Sequence, residues 1–264
     1  MLKLQNIHRK AGKTPIINGI DFTIQSGQVI GLVGPNGCGK TSLLNLINGF
    51  YSPTEGKIIH DHLDITNTSV EQRAIGGIGR VFQSFGIFRN LTLYENLALA
   101  FVKQLHRKYK FLPIRFLPKH MRAEIDEILH ELELYDKKDQ LAGNLSGGQM
   151  RLLEIGRLYL QKTKVYLLDE PTAGVSPKLK GKVIDLINKI ISKDRMVIIV
   201  EHDFEFLAQF VDSFCVMNEG KIVLEGNYSQ IKHSEVIKEI YFGKDRIENT
   251  EHILERGQLV KEVK

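Results

Sequence analysis

A glycine-rich segment between an apolar run and a helical pattern constrains the fold of this chain more than any other feature. Residues 34–41 read Gly-Pro-Asn-Gly-Cys-Gly-Lys-Thr, which fits the pattern GxxxxGK[ST]. The run Val29–Val33 before it is apolar enough for a buried strand, and Thr41 opens a stretch with helical spacing up to Asn48. Glycine accepts the positive φ angles that turn successive backbone N–H groups towards one point. The sequence therefore predicts a strand, an anion-binding loop and a helix in succession.

This loop predicts a site for nucleotide phosphates. The Lys40 ammonium can reach the β- and γ-phosphates, and the Thr41 hydroxyl can bind Mg²⁺. The N-terminus of the following helix adds positive potential at the same place. The residues assigned to ATP binding here are Gly34, Pro35, Asn36, Gly37, Cys38, Gly39, Lys40, Thr41 and Ser42.

A second apolar run ends in two carboxylates. Residues 164–170 read Lys-Val-Tyr-Leu-Leu-Asp-Glu. An acid such as Asp169, at the end of a buried strand beside a phosphate loop, can hold Mg²⁺ through water. Glu170 is then placed to polarise an attacking water, which makes it the candidate general base. Its alternative role is to cap the segment that begins at Pro171.

The order of the remaining patterns favours an α/β fold with a helical insertion. Residues 91–160 are predicted to be mainly helical, and β-type runs lie on both sides of them. Nearly all-apolar strands that alternate with helices are typical of a covered parallel sheet. The predicted strands are Leu2–Ile7, Ile20–Ile24, Val29–Val33, Gly56–Ile59, Val165–Leu168, Met196–Val200, Ser213–Met217 and Ile222–Glu225.

Composition narrows the class of protein. Hydrophobic residues make up 42% and charged residues 25% of the 264 residues, as in ordinary globular proteins. No apolar run approaches the roughly 20 residues that cross a bilayer, and the N-terminus lacks a signal-peptide pattern, so we expect a cytoplasmic location. Cys38 and Cys215 form neither a disulfide framework nor a CxxC metal spacing, and we expect both to be reduced thiols.

A basic stretch without acidic residues lies between Ala98 and Ala123 and also carries aromatic side chains. It is interpreted either as a solvated insert or as a surface that faces phospholipid head groups or a membrane-embedded partner. Nucleic acid is disfavoured because no nucleic-acid-binding motif accompanies it. Its basic residues are Lys103, Arg107, Lys108, Lys110, Arg115, Lys119 and Arg122.

Three further motifs carry a family resemblance. The segment Leu145-Ser-Gly-Gly-Gln149, just before a helical pattern, resembles the signature sequence of ATP-binding-cassette (ABC) ATPases. Gln83 resembles the glutamine of that family's Q-loop, and His202 resembles its switch histidine. The resemblance runs from Leu2 to about Gly243.

The resemblance implies a P-loop NTPase (RecA-like) α/β sheet domain with an N-terminal antiparallel β subdomain and an inserted α-helical subdomain of about residues 91–160. A single nucleotide-binding domain would occupy residues 1–243, and a charged tail would follow at 244–264. Such domains stack head to tail, so that each ATP lies between the P-loop of one and the signature of the other. One cassette therefore requires a second copy or a paralogous ATPase as partner. Transmembrane permease subunits are also implied, with a solute-binding protein as a further partner of importers.

The resemblance also assigns roles. Ser146 and Gly148, with Gly147 and Gln149 in the same segment, would contact the γ-phosphate bound by the opposite subunit. His202 would contact the γ-phosphate and orient the attack, and Gln83 would sense Mg²⁺ and water. The implied catalytic residues are Glu170, His202 and Gln83, and the implied Mg²⁺ ligands are Thr41, Gln83 and Asp169. Ser146 has the alternative role of a helix N-cap only.

Two positions depart from the family pattern. Many members stack adenine on an aromatic residue near the first strand, where this chain has Ala11; His8 or Arg9 is the candidate substitute. Loss of stacking predicts looser base selectivity. Many members also place Asp at the end of the D-loop, where this chain has Ser176.

Several segments resemble the ATPases of branched-chain amino-acid importers and their urea-type relatives. Lipopolysaccharide-export ATPases share many of them, and an ATPase chain does not carry the transported substrate. A P-loop kinase or GTPase-type switch does not explain the signature segment, and soluble ABC ATPases of translation or DNA repair usually carry two cassettes or a long coiled coil. The segments are 79–83, 88–97, 153–157, 170–174, 200–203 and 236–243.

Overall fold

The computed structural model describes residues 1–104, 117–192 and 194–242. The chain divides into two compact units. The first contains Met1–Ile78, Val165–Glu170 and the residues from Ile191 onward, and the second contains Gly79–Lys164 and Pro171–Ile190. The predicted tail of residues 244–264 and residues 105–116 of the basic stretch lie outside the described residues.

The strands and helices follow the chain in this order. The strands are β1 (Leu2–Ala11), β2 (Thr14–Ile24), β3 (Val29–Val33), β4 (Glu55–His60), β5 (Leu63–Asp64), β6 (Ile78–Val81), β7 (Val165–Asp169), β8 (Met196–Val200), β9 (Ser213–Asn218) and β10 (Lys221–Gly226). The helices are α1 (Lys40–Asn48), α2 (Val70–Gly76), α3 (Leu93–Ala98), α4 (Lys119–Glu131), α5 (Gly147–Leu160), α6 (Pro177–Ile190), α7 (Phe204–Ala208), α8 (Tyr228–Lys232) and α9 (Glu235–Phe242).

The first unit contains an antiparallel sheet with the strand order β2-β1-β4-β5. The β1 strand pairs with β2 on one side and with β4 on the other, so that Leu2 lies opposite both Ile24 and His60. Leu2, Leu4 and Ile7 of β1 are fully buried, whereas the far end of the hairpin is exposed. The alternation of apolar and polar residues therefore turns one face of this sheet towards the core.

The second sheet has the order β10-β9-β3-β8-β7-β6. Its central strands are parallel, with β3 between β9 and β8 and with β8 paired to β7, whereas β10 runs antiparallel to β9. Every residue of β3, β7 and β8 is buried. Uniformly apolar strands are expected where both faces of a parallel sheet are covered.

The core of the first unit joins residues of both sheets to helix α1. Leu43, Leu44 and Ile47 of α1 are at most 1% exposed and belong to one cluster with residues of β1, β3 and β8. The buried Arg73 guanidinium donates to the carbonyl oxygens of Leu46 and Ile47 near the end of this helix. A cation that binds the last carbonyls of a helix stabilises that end. Core packing and the Arg73 contacts at its C-terminal end thus fix the position of α1, the helix that follows the glycine-rich loop.

The second unit is mainly helical in the part that the structure describes, apart from the residues of β6 that it contains. Helix α5 contacts α3, α4 and α6. Gly156 allows one of these close approaches, because a Cβ there would lie 3.0 Å from the Ile128 side chain. No helix within residues 1–104, 117–192 and 194–242 combines the length and apolar character needed to span a membrane.

The predicted α/β fold class is confirmed, with differences in detail. Strands β1 and β2 extend several residues beyond the predicted bounds, because their polar ends form a hairpin that projects from the core. Strands β5 and β6 and helix α2 were not predicted, because each is too short for a clear hydrophobic period. The division into one nucleotide-binding domain and a tail stays a prediction.

Candidate functional site

Strand order brings three site segments of the first unit to one edge of its parallel sheet. Strand β8 lies between β3 and β7, with Val200 opposite both Leu32 and Asp169. The carboxyl ends of parallel strands meet at the same edge, where α/β proteins bind ligands. The glycine-rich loop after β3, Glu170 after β7 and His202 after β8 therefore begin side by side.

The backbone of the glycine-rich loop requires residues without side chains. Gly34, Gly37 and Gly39 have φ angles of 150°, 80° and 110°. A Cβ on Gly34 would lie 2.2 Å from the Met217 carbonyl oxygen, which is far inside van der Waals contact. Glycine at these positions is therefore fixed by conformation and, at Gly34, also by crowding.

The ammonium of Lys40 is held inside the loop. Lys40 is 6% exposed, and its Nζ donates to the carbonyl oxygens of Gly34 at 2.7 Å and Pro35 at 2.9 Å. Helix α1 begins at this residue, and its N-cap, Gly39, offers no side chain to the first N–H groups. Asn36, Gly37 and Thr41 are exposed. The loop thus combines a fixed cation with the free N–H donors of a helix N-terminus. Together these groups form a site suited to binding phosphate.

The two adjacent acids, Asp169 at the end of β7 and Glu170 directly after it, differ sharply in their surroundings. Asp169 is fully buried at 0% exposure, whereas the Glu170 side chain is 20% exposed. Glu170 has a φ of 49°, an uncommon value for a residue with a side chain, and its N–H donates to the Val200 carbonyl at 2.9 Å. Such backbone outliers cluster at functional sites, because the surrounding structure must hold them in place.

Glu170 and His202 contact each other. Nε2 of His202 lies 3.0 Å from Oε1 of Glu170 and donates to it when that nitrogen carries the proton. The His202 and Glu170 side chains are 26% and 20% exposed, so they are accessible to substrate and water. The structure therefore brings the predicted general base and the predicted switch histidine into one hydrogen-bonded pair.

Two groups at the glycine-rich loop, the Cys38 thiol and the Tyr241 phenol, are largely buried. Burial raises the pKa of the Cys38 thiol, and the nearby Lys40 opposes this rise. Burial also raises the pKa of the Tyr241 phenol on α9, against a smaller lowering by a hydrogen bond from the Gly34 backbone. The ring of Tyr241 packs edge-on against Phe204, with 6.0 Å between ring centroids. Helix α9 thus contacts the loop through Tyr241, and the sequence motifs did not reveal this contact.

In the second unit, the predicted signature segment begins helix α5. Ser146 is the N-cap of α5: its hydroxyl accepts from the Gln149 N–H at 3.3 Å, and the Gln149 side chain accepts from the Ser146 N–H at 3.1 Å. This capping box fixes the direction of the segment. Gly147 and Gly148 occupy the first turn, where a Cβ would lie 3.3 Å from Phe85 or 3.1 Å from Leu179. The capping role of Ser146 is observed, and its role towards phosphate stays a prediction.

Gln83 lies in a loop of the second unit that is bonded to the same helix. The Gln83 residue is exposed, and its carbonyl oxygen accepts from Nη2 of Arg151 at 2.9 Å. Glu154 accepts from the N–H groups of Phe82 and Gly86. Burial raises the pKa of the Glu154 carboxyl, whereas Arg151 and these two N–H groups lower it. The sequence motifs did not predict this buried charge cluster.

The two candidate substitutes for an adenine-stacking aromatic already have partners. Arg9 stacks over Tyr51 at 5.1 Å and donates to the Ser52 carbonyl at 3.0 Å. The His8 ring contacts the side-chain oxygen of Asn6 at 3.0 Å. Ala11 itself is exposed near the tip of the β1–β2 hairpin.

Sequence comparison adds four findings. The family model of ABC transporters matches residues 17–173, which is more than half of the chain. A probable branched-chain amino acid transport ATP-binding protein, LivG of Methanocaldococcus jannaschii, is 32% identical over 250 residues, covering 92% of this chain and 97% of the relative. BraF, a high-affinity branched-chain amino acid transport ATP-binding protein of Pseudomonas aeruginosa, is 32% identical over 251 residues. This match covers 92% of this chain and 98% of the relative. LptB, the lipopolysaccharide export system ATP-binding protein of Haemophilus influenzae, is 31% identical over 245 residues, covering 92% and 97%.

Solved structures agree in fold. The ADP conformation of an ATP-binding cassette of an ABC transporter has a TM-score of 0.77 at 30% identity, covering 92% of this chain and 99% of the other. A dimeric, post-hydrolysis cassette bound to ADP and inorganic phosphate has a TM-score of 0.73 at 26% identity, covering 86% and 99%.

We predict that Glu170→Gln lowers the rate of ATP hydrolysis at least about a hundredfold and leaves ATP binding intact, because an amide cannot accept the proton of water. Phosphate release and a nucleotide titration measure the two effects. Glu205→Gln, the same change at an exposed position on α7, is the matched control and keeps the wild-type rate. A Glu170→Gln protein with near-wild-type turnover would remove Glu170 from the role of base.

Proposed function

This chain belongs to the ABC transporter family of ATPases, and from that premise we propose that it drives the import of branched-chain amino acids or a similar small polar solute. The proposal rests on one observation above all. Two relatives named for branched-chain amino acid transport match along nearly their whole length, including parts outside the family model. The matches to these two ATPases, like the match to LptB, thus extend well beyond residues 17–173.

ATP hydrolysis in this proposal follows from the site of the first unit. The loop N–H groups and Lys40 bind the phosphates and neutralise their charge. Glu170 accepts a proton from the attacking water, and His202 orients that water and the γ-phosphate through its contact with Glu170. Every step uses a side chain or backbone group at the carboxyl edge of the parallel sheet.

Mg²⁺ fits the chemistry of the same edge. Asp169 is a fully buried carboxylate at the end of β7, and the Thr41 hydroxyl is exposed in the first turn of α1. Oxygen ligands of this kind suit Mg²⁺, which is usually bound by one or two protein groups together with substrate phosphates. We assign Thr41, Asp169 and Gln83 to its binding. Bound Mg²⁺ supplies neutralising charge during phosphoryl transfer.

A second ATPase subunit, identical or paralogous, completes the site. ABC ATPase domains act as dimers, as in the related dimeric cassette with bound ADP and phosphate. We assign Ser146, Gly147, Gly148 and Gln149 to the γ-phosphate held by the opposite subunit. The capped start of α5 supports this assignment, because its N-terminus carries positive potential.

Exposed apolar side chains of the second unit support a membrane-embedded partner. Phe88 is 54% and Leu141 is 48% exposed. A β-bridge between Thr92 and Leu141, and a hydrogen bond from the Gly143 N–H to the Arg89 carbonyl, join the two segments that carry them. Large exposed apolar side chains that lie near each other are typical of protein interfaces. We propose that permease subunits bind here and hold the chain at the cytoplasmic face of the membrane.

Lipopolysaccharide export is the second candidate, favoured by the similarity to LptB, which is almost as high as that to the importer ATPases. A soluble ABC ATPase that acts on ribosomes or DNA is the third and weakest, because the relatives reported above are all named for transport or export systems. These functions differ in the proteins that the chain would bind.

Partner isolation tests the proposed function. The chain is tagged in its native host, membranes are solubilised gently, and co-purifying proteins are identified, with a Phe88→Ala/Leu141→Ala variant as control for the proposed interface. We expect two multi-span permeases and a second ATPase with the wild-type chain, and a marked loss of permeases with the variant. Recovery of lipid-export proteins, ribosomes or DNA without these permeases would contradict amino-acid import.

The exposed Ala11 predicts weak discrimination between nucleobases. Without an aromatic platform, we expect KM values for ATP and GTP to agree within about tenfold. Ala11→Tyr should lower the KM for ATP about five- to tenfold by adding a stacking surface, whereas the matched variant Ala11→Leu should not. Steady-state hydrolysis with both nucleotides measures this. Unchanged KM values in Ala11→Tyr would place the base elsewhere.

A further inference from the structure

A buried charge cluster in the second unit binds one short loop. Arg151 and Glu154 on α5 are 0% and 1% exposed and form an ion pair of 2.9 Å between Nη1 and Oε2. A buried pair of this kind is costly to desolvate, and hydrophobic residues of the same volume often stabilise a fold as well or better. Stability alone is therefore a weak reason for its presence.

The partners of the pair are almost all backbone groups of residues 82–86, which we term the Gln83 loop. Oε1 of Glu154 accepts from the N–H groups of Phe82 at 3.2 Å and Gly86 at 3.1 Å. Arg151 donates through Nη1 to the Phe82 carbonyl and through Nη2 to the Gln83 carbonyl at 2.9 Å. The carboxylate thus closes the loop at both ends, and the guanidinium fixes the peptide groups on either side of Gln83.

Two further contacts fit the loop to this pair. A Cβ on Gly86 would lie 2.8 Å from Oε1 of Glu154, so that glycine allows the carboxylate its close approach. The ring of Phe85 lies under the guanidinium of Arg151, 5.0 Å from its central carbon. Both members of the pair therefore contact the Gln83 loop: Glu154 approaches Gly86, and Arg151 lies over Phe85.

The same helix begins with the signature segment. Ser146 is the N-cap of α5, and Arg151 lies in its second turn. Because a helix is rigid over so short a distance, the Gln83 loop and the signature segment are bonded to one body. Any displacement of the loop by Mg²⁺ or nucleotide would therefore be transmitted to the signature helix. Likewise, any displacement of the signature helix would be transmitted to the loop.

We propose that Arg151 and Glu154 are positioning residues that hold the Gln83 loop on the signature helix, so that Gln83, which serves the chain's own ATP, and the signature segment, which serves the ATP of the opposite subunit, are positioned together. This inference rests on the proposed function, in which Gln83 serves Mg²⁺ and water. Both side chains are buried and bond to the backbone of the Gln83 loop. Their substitution therefore changes the chemical step and the response to Mg²⁺, and leaves the P-loop's affinity for ATP unchanged.

The principal test is Glu154→Gln in the full-length chain. The amide can keep its oxygen on the two loop N–H groups, but its NH₂ then faces the donors of Arg151. We expect kcat to fall about tenfold, the Mg²⁺ concentration for half-maximal rate to rise about fivefold, and the KM for ATP to stay within about twofold. Wild-type kcat and Mg²⁺ response in the folded variant would overturn the proposal.

Two comparisons separate positioning from stability. Ile155→Ala removes a fully buried side chain from the same helix, which lowers thermal stability but should leave kcat and Mg²⁺ response unchanged. The exchange Arg151→Glu with Glu154→Arg keeps an ion pair but sets a carboxylate against two carbonyl oxygens, so its kcat should remain low. Two outcomes would show that the cluster only stabilises the fold. One is a kcat loss in Ile155→Ala equal to that of Glu154→Gln, and the other is wild-type kcat in the exchanged pair.

Glu170→Gln, assayed in parallel, separates this inference from the assignment of the site. If Glu170→Gln remains active, the proposed catalytic site is wrong. If Glu170→Gln is inactive and Glu154→Gln is indistinguishable from wild type, the site stands and only the positioning role fails.

Discussion

The conformation of the loop between β3 and α1 is the constraint on which the rest of the structure depends. Gly34 has a φ of 150° and lies so close to the Met217 carbonyl that any side chain would collide with it. This crowding, together with the buried end of β3, fixes where helix α1 begins. Lys40 then lies inside the loop, held by two of the loop's own carbonyl oxygens. An anion site that is formed in advance needs little reorganisation on binding.

The parallel sheet turns this local loop into a catalytic site. Because β8 runs between β3 and β7, groups far apart in the sequence begin at one edge. The contact between Glu170 and His202 spans 32 residues of sequence and joins the ends of neighbouring strands. The positive φ of Glu170 is the local strain that this arrangement accepts.

The sequence predicted those features that depend on local pattern. The strands β3 and β8 follow from uniform hydrophobicity, and the N-cap role of Ser146 follows from its residue type, so neither needs knowledge of distant residues. The family motifs supplied the site residues. The strained Glu170 backbone and the Tyr241 contact with the phosphate loop depend on tertiary packing, which a pattern within one segment cannot express.

The buried pair on α5 is the clearest example of that limit. In the sequence, Arg151 and Glu154 are an i, i+3 pair such as exposed helices often carry. Only the fold shows that both are buried against residues 82–86. The absence of an aromatic residue at Ala11, in contrast, was recognised from the sequence. The structure adds that Arg9, one of the candidate substitutes, already contacts Tyr51 and Ser52.

The binding of ATP by the Lys40 loop is the central claim, and a titration of the purified chain with fluorescent ATP tests it most directly. The account predicts saturable binding by the wild-type chain and its loss in Lys40→Ala, while Lys57→Ala, on the exposed side of β4, binds as the wild type does. Equal binding by the wild-type chain and Lys40→Ala would contradict the assignment of the phosphate site.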